Sequence, residues 1–332
     1  MTRVAVIGAG SWGTALANLL ASQDVSTVLW AYEPEVTESV NSRHVNALYF
    51  DDKPLDPRLT ATSDLGAALR GVDAIVAVTP SHVSRRVWAA ASEHVTAGTT
   101  FICATKGIEP DSLDLMHELA AEVLPQATFV ALSGPSFADE VHQGQPTAVV
   151  AASHDHVAAE RAQQLFSSPN FRVYTQDDVI GVELAGSLKN VIAIAAGVLE
   201  GLGLGNNPRA ALLTRGLSEI GRLGAAMGAQ PDTFAGLAGM GDLILTCTGG
   251  LSRNRKLGIA LAQGETLEHH RATHRTVAEG VNTALGASQL AMRHGVDMPI
   301  TAQVKAVLFD GVPPAESIRA LMGRDLKAES WG

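Results

Sequence analysis

Lys189 and Asn190 interrupt the stretch VELAGSLKNVIAIAAGVLEG (182–201), in which nearly every other residue is Ala, Val, Ile, Leu or Gly. An ammonium is costly to bury among such neighbours. One reading is a snorkelling lysine, its stem packed and its head in water. The other is chemical. A partly desolvated lysine has a lowered pKa and exchanges a proton near neutral pH. A carbonyl–alcohol interconversion asks this of its general acid/base.

A second group lies in GLAGMGDLILTCTGGLSRNRKLGIALAQG (236–264). Asp242 and Thr246 are four apart and share a face if this piece is helical. Gly249 and Gly250 then break it. Ser252, Arg253 and Asn254 open the next helix with a hydroxyl, a guanidinium and an amide, a set suited to a phosphate. The alternative is a serine N-cap with exposed arginines.

A third group opens the chain. Gly8, Gly10 and Gly13 form G-x-G-x-x-G directly after the β-branched run RVAVI and directly before a helical pattern. In that context the glycines serve a tight turn, close approach of backbone to a pyrophosphate, and tight helix–strand packing. An acidic residue about 20 positions on commonly bonds the adenosine ribose. Glu33 stands there and favours NAD; the alternative is an exposed loop acid. Lys106 in CATKGIE and Gly134 with Ser136 in LSGPSFADE follow strands, and strand carboxyl ends face the ligand crevice of an open α/β sheet. Taken singly, each is also an ordinary surface lysine or a Gly-Pro turn. His269, His270 and His274 in EHHRATHRTV read as a polar loop and not as a metal site, with no acidic or cysteine partner evident nearby.

The elements that must position these groups come in two textures. Strand patterns at 3–7, 27–32, 73–80, 99–105, 128–134, 147–153 and 171–176 alternate with helical ones such as 82–94 and 111–123. This predicts an α/β, Rossmann-like, doubly wound and mainly parallel sheet. From about 180 the β-rich runs stop. Apolar helical patterns follow at 181–200, 208–228, 254–263, 279–294, 299–308 and 314–323. The expected division is a dinucleotide-binding domain, 1–180, and an all-α substrate-binding and catalytic domain, 181–332. A length of 332 residues suits two domains at roughly 100–200 residues each.

A net charge of −10 argues against a nucleic-acid partner, which asks for a basic face. It leaves room for a small anionic substrate held by a local cluster of Lys and Arg. Cys103 and Cys247 make no metal or disulfide spacing, so the expected compartment is the cytoplasm. The N-terminus enters a strand with no leader pattern. No unbroken apolar run reaches the roughly 18 residues of a membrane span. LGASQLAM (285–292) offers a small-residue face either to internal packing or to a second copy, and a homodimer is expected.

Taken in order, GAGSWGTALA, ATKGIE, SGPSFADEV, ELAGSLKNVIAIAAG, GLAGMGDLILTCTGGLSRNRKLG, VAEGVNTA and MPI resemble the bacterial NAD(P)-dependent glycerol-3-phosphate dehydrogenases over essentially the whole chain. The resemblance implies reversible reduction of dihydroxyacetone phosphate to sn-glycerol 3-phosphate for phospholipid synthesis, with NAD(H) or NADP(H). It implies Lys189 as the acid/base, with Lys106, Asp242, Asn190 and Thr246 at the reacting end. Lys106, Gly134, Ser136, Lys189, Asp242, Ser252, Arg253 and Asn254 would surround the substrate. Ser11, Trp12, Lys106, Ala138, Arg253, Val277 and Glu279 would join the glycine loop at the cofactor. Two departures stand out. After the second strand the family often shows Trp-Ala-Arg, whereas WAYEPE here places Tyr32 and Glu33, which would repel an NADP 2′-phosphate and favour NADH. In NALYFDD, the basic residue before the Tyr and the later Pro-Gly of the family are missing. Rival readings are a two-domain hydroxy-acid or ketoacid dehydrogenase, and a dinucleotide sensor without turnover.

Overall fold

The computed structural model describes residues 2–274, 278–326 and 328–329. Two compact units divide the chain: Met1–Glu109 with Asp114–Val179, and Ile180–Gly332 with Pro110–Leu113.

The first unit is built on eight strands: β1 (Arg3–Ile7), β2 (Ser26–Trp30), β3 (Thr60–Thr62), β4 (Ala74–Ala77), β5 (Thr100–Cys103), β6 (Thr128–Ser133), β7 (Thr147–Ala152) and β8 (Phe171–Gln176). Their order across the sheet is β3-β2-β1-β4-β5-β6-β7-β8. All neighbours are parallel except β6 and β7. Seven helices intervene: α1 (Ser11–Ser22), α2 (Pro34–Arg43), α3 (Leu65–Leu69), α4 (Ser81–Ala91), α5 (Met116–Val123), α6 (Ala138–His142) and α7 (His156–Phe166).

Alternation along β1 explains the two layers of helix. Val4 and Val6 join a core with side chains of α1, α2 and α7, while Ala5 and Ile7 join another with α3, α4 and α5. Successive strand residues point to opposite faces, so a strand buried on both faces has to be apolar throughout. β1 lies between β2 and β4, where the strand order reverses. Ligands of such sheets bind outside the carboxyl ends at this reversal. The Gly8–Gly13 loop leaves β1 at that place.

Two details differ from the sequence expectation. β3 is only three residues, Thr-Ala-Thr, paired with β2, too short to leave a periodic pattern. The helix expected over 111–123 begins at Met116. Leu113 has φ of 68°, which no right-handed helix accommodates, and the Glu118 carboxylate accepts from Leu115 N–H at 2.8 Å to start the helix there.

The second unit is helical: α8 (Val179–Gly201), α9 (Asn206–Ala226), α10 (Pro231–Ala235), α11 (Asp242–Thr248), α12 (Arg253–Ala262), α13 (Leu267–Thr273), α14 (Gly280–His294), α15 (Pro299–Phe309) and α16 (Pro314–Met322). By length and composition α8 could cross a membrane, with mean hydropathy 1.6 over its best window, but 89% of that window is buried inside the protein. It is a core helix. α12 crosses it backbone to backbone. A Cβ on Gly258 would lie 2.0 Å from the Ile194 carbonyl oxygen, and one on Gly197 2.0 Å from that of Arg255. The two glycines are what let the start of α12 come beside Asn190. In LGASQLAM, Gly286, Ala287, Leu290 and Ala291 are buried, so most of that face packs internally.

Candidate active site

In the second unit Lys189 is 6% exposed and Asp242 1%. Lys189 Nζ donates to Asp242 Oδ1 at 2.5 Å and to Thr246 Oγ1 at 2.7 Å. The Thr246 hydroxyl donates in turn to Asp242 Oδ1 at 3.2 Å. α11 is helical, so Asp242 and Thr246 do share a face one turn apart. A wide π-type turn at Leu237–Gly241 runs straight into Asp242; such turns gather at functional positions. The lysine does not snorkel. It ends on a buried carboxylate. Burial opposes the ammonium and the carboxylate favours it, and the two groups lie at ion-pair distance. Cys247 lies within the influence of both charges, but burial pushes its thiol up to about 12, which leaves it inert at neutral pH.

Asn190 is also buried. Its Oδ1 accepts from Asn254 Nδ2 at 2.9 Å, and Asn254 Oδ1 accepts from Gly280 N–H at 3.0 Å. Both ends of the Asn254 amide are thereby used to tie α8, α12 and the start of α14 together. Ser252 caps α12, its Oγ accepting from Arg255 N–H at 3.2 Å. Of the two arginines of the motif, Arg255 is bound to Glu200. Arg253 makes no ion pair among the described residues and stays accessible to solvent. Desolvation by its surroundings still pulls the guanidinium pKa down, opposed by Glu279. A guanidinium keeps its charge regardless, so Arg253 is a cation available to an anion at a helix start.

In the first unit each glycine of the motif has a separate role. Gly8 has φ of 112°, and a Cβ there would meet the Val78 carbonyl at 2.8 Å. A Cβ on Gly13 would sit 1.9 Å from the Gly8 carbonyl oxygen. At Gly10 nothing lies within 4 Å of the Cβ position. The backbone is therefore open there, and no side chain caps the first turn of α1. Its N–H groups suit an anion. Trp12 Nε1 is buried without a hydrogen-bond partner. Ser11 Oγ donates to the Tyr49 carbonyl at 2.6 Å. These features fit a dinucleotide pyrophosphate.

Lys106 follows β5 and donates to the Gly134 carbonyl at 3.1 Å, the same oxygen that accepts from Ser136 Oγ at 2.9 Å. Gly134 has φ of 144°, and a Cβ there would meet Val149 Cα at 2.9 Å. Ala138 begins α6 and packs on the sheet core. Glu33 precedes α2 and accepts from Tyr49 Oη at 2.7 Å. Val277 lies outside the described residues.

The histidine segment needs correction. Leu267–Thr273 is a helix rather than a loop, and an acidic partner is present. His270 Nδ1 meets Glu265 Oε1 at 3.2 Å, and the His270 and His274 rings stack at 4.0 Å. Ligand-type atoms of these three residues lie within 4.8 Å of one another. Glu265 precedes the quoted histidine run, and only the helical turn between them brings it back. Sequence reading also missed Asn46, which is fully buried and donates through Nδ2 to the Ala9 carbonyl and to Thr14 Oγ1, both at 2.8 Å. Its only signal was an unexplained motif, NALYFDD.

Comparison with known proteins agrees along the chain. The family model described as NAD-dependent glycerol-3-phosphate dehydrogenase N-terminus matches residues 3–159, and its C-terminus counterpart matches residues 178–319. The chain is 54% identical over 332 residues to glycerol-3-phosphate dehydrogenase [NAD(P)+] of Geobacter sulfurreducens, covering 99% of each. It is 54% identical to that of Geobacter metallireducens, covering 98% of each. The crystal structure of glycerol-3-phosphate dehydrogenase from Coxiella burnetii matches with TM-score 0.94 at 40% identity, over 97% of this chain and 99% of that one. With both halves matched in order, the chain belongs to the NAD-dependent glycerol-3-phosphate dehydrogenase family.

Proposed function

We propose that this protein is an NAD(P)-dependent oxidoreductase that reversibly reduces dihydroxyacetone phosphate to sn-glycerol 3-phosphate, a precursor of phospholipids. The observation that carries the reading is the buried Lys189–Asp242–Thr246 cluster, with Lys189 Nζ 2.5 Å from the carboxylate.

In this reading the first unit holds the dinucleotide at Gly8, Gly10, Ser11, Trp12, Gly13 and Glu33, with Lys106 and Ala138 beside it. Arg253, Val277 and Glu279 are the further cofactor contacts that the family resemblance implies. When bound, the nicotinamide supplies the hydride. Lys189 holds a proton at Nζ for the ketone oxygen, which gains negative charge as the carbonyl is reduced. Positioned proton transfer of this kind contributes about 10²–10⁴ in rate. Asp242 and Thr246 orient the ammonium. Arg253 and the N–H groups at the start of α12 bind the substrate phosphate. Lys106, Gly134 and Ser136 supply polar groups at the strand ends. Ser252 and Asn254 keep a hydroxyl proton and an amide N–H for the substrate, and Asn254 also holds Asn190 in place.

The cytoplasm suits two buried thiols without a disulfide, Cys103 and Cys247. Assembly as a homodimer belongs to the same reading, and Met292 and Met322, 75% and 82% exposed, are apolar side chains that association would cover. The test is direct. Purified protein is mixed with dihydroxyacetone phosphate, and nicotinamide absorbance is followed with NADH and NADPH in parallel. Oxidation that depends on the ketone is expected. No oxidation with either cofactor would refute the assignment.

A further inference from the structure

The NALYFDD segment carries a function that its sequence does not announce. Asn46, from inside the fold, bonds the Ala9 carbonyl of the glycine loop, and its Oδ1 accepts from Tyr49 N–H at 3.2 Å. Ser11 Oγ, at the first residue of α1, donates to the Tyr49 carbonyl at 2.6 Å. Phe50 next to it is 2% exposed and packs edge-on against His142 at 5.1 Å. Tyr49 is thus fixed by its backbone on both sides. Its side chain then reaches Glu33, where Oη donates to Oε1 at 2.7 Å. Glu33 caps nothing in α2. One short segment therefore sets the position of the Glu33 carboxylate relative to the loop that receives the pyrophosphate.

The geometry points to Tyr49 as a specificity-determining residue: it holds the Glu33 carboxylate as the acceptor for the adenosine ribose 2′-hydroxyl and as a fixed negative charge against a 2′-phosphate. This rests on the dinucleotide-dependent reading above. With Oε1 taken by Tyr49, Oε2 is left to accept from a hydroxyl, and an ionised carboxylate has no donor to offer a phosphate. A phosphate monoester brings about −1.5 to −2 charges at neutral pH. Two cations of the segment that follows are already paired with carboxylates. Lys53 is engaged by Asp51 and Asp139 at 2.9 and 3.1 Å, and Arg58 by Asp24 and Asp56. The neighbouring Tyr32 is 70% exposed and uncharged. A freely rotating glutamate would swing away from a phosphate. One pinned by a tyrosine hydroxyl cannot do so without losing a hydrogen bond to a charged group.

The test is a fluorescence titration of NADH and NADPH, without substrate, into the full chain and its Tyr49→Phe, Glu33→Gln and doubly substituted forms. Phenylalanine keeps the backbone bonds to Asn46 and Ser11, and unchanged circular dichroism checks the fold. The wild-type protein is expected to bind NADH at least about tenfold more tightly. Tyr49→Phe is expected to shrink that ratio by about tenfold, the scale of one hydrogen bond to a charged group. Glu33→Gln shrinks it at least as far, and the double substitution no further, since Tyr49 acts through Glu33. Equal wild-type affinities, an unchanged ratio in Tyr49→Phe, or additive losses in the double form would each overturn the proposal. Absence of turnover with dihydroxyacetone phosphate alongside the expected binding pattern would refute the substrate assignment and leave this pair standing.

Discussion

Replacing Lys189 by methionine separates what the ion pair does for catalysis from what it does for the fold. Methionine fills nearly the same space but leaves Asp242, 1% exposed, with no ammonium at 2.5 Å. Removing one partner of a buried pair typically costs about 3–5 kcal/mol. Turnover should fall by about 10²–10⁴, the range for a positioned proton donor. Without its ammonium, the buried Asp242 carboxylate should have a raised pKa in the folded state. Stability linked to such a group is fully present below the unfolded value near 3.9 and is lost as pH rises through the folded value. The deficit of Lys189→Met should therefore widen from acid to neutral pH. Adding Asp242→Asn removes the stranded charge, so the double variant should regain much of the stability and none of the rate. Urea unfolding at several pH values and stopped-flow nicotinamide absorbance measure the two quantities. Turnover within tenfold of wild type in Lys189→Met would refute the proton-donor role. A double variant no more stable than the single would refute the electrostatic account.

Three further outcomes follow from the same geometry. Arg253→Gln should raise KM for the phosphorylated ketone by roughly 10–100-fold, the equivalent of losing a hydrogen bond from a charged group, and an unchanged KM in steady-state kinetics removes Arg253 from phosphate binding. Gly258→Ala forces a Cβ to 2.0 Å from the Ile194 carbonyl oxygen, so thermal unfolding should report a loss of about 1–3 kcal/mol or more; a wild-type midpoint would mean that α8 and α12 separate easily. Asp56 has its pKa lowered from 3.8 to about 2, chiefly by its hydrogen bond from Arg58, so its contribution is present above 3.8 and is lost as pH falls through about 2. Arg58 is about half exposed, which keeps that contribution below about 1 kcal/mol, and the stability gap between wild type and Asp56→Asn should close in acid unfolding over that range; a gap that persists at low pH contradicts the pairing.

What could be read from the chain beforehand depended on whether the signal was local. The glycine loop, the alternating strands and the long apolar helices are all patterns within a few turns, and they came through with most boundaries shifted by three residues or fewer. β3 was missed because three residues carry no period, and the start of α5 because a single left-handed residue, Leu113, overrides a helical pattern. Site residues obey the same division. Asp242 and Thr246 are one turn apart on one helix, so their shared face was visible from spacing alone. Asn46 is 32 residues from the threonine it bonds, and Tyr49 is 16 from Glu33. Nothing in either segment names the other.

The same limit decides what each residue type can offer at the start of α12. Ser252, Arg253 and Asn254 have the chemistry of a phosphate cradle, but a polar side chain offers only what its own chain leaves unused. Ser252 gives its oxygen to Arg255 N–H, and Asn254 gives one end to Asn190 and the other to Gly280. Ser252 keeps its hydroxyl proton and Asn254 a second amide N–H, so both can still donate to a phosphate beside the Arg253 guanidinium. Lys189 shows the converse. Alone in an apolar stretch, a lysine is expected to lose its proton readily, because burial favours the neutral amine. Its partner lies 53 residues away and opposes that tendency. A carboxylate this close keeps the proton on nitrogen until a stronger base arrives. In the proposed ketone reduction that base would be the alkoxide formed as the carbonyl gains hydride, so Lys189 would release its proton as the reaction creates a place for it.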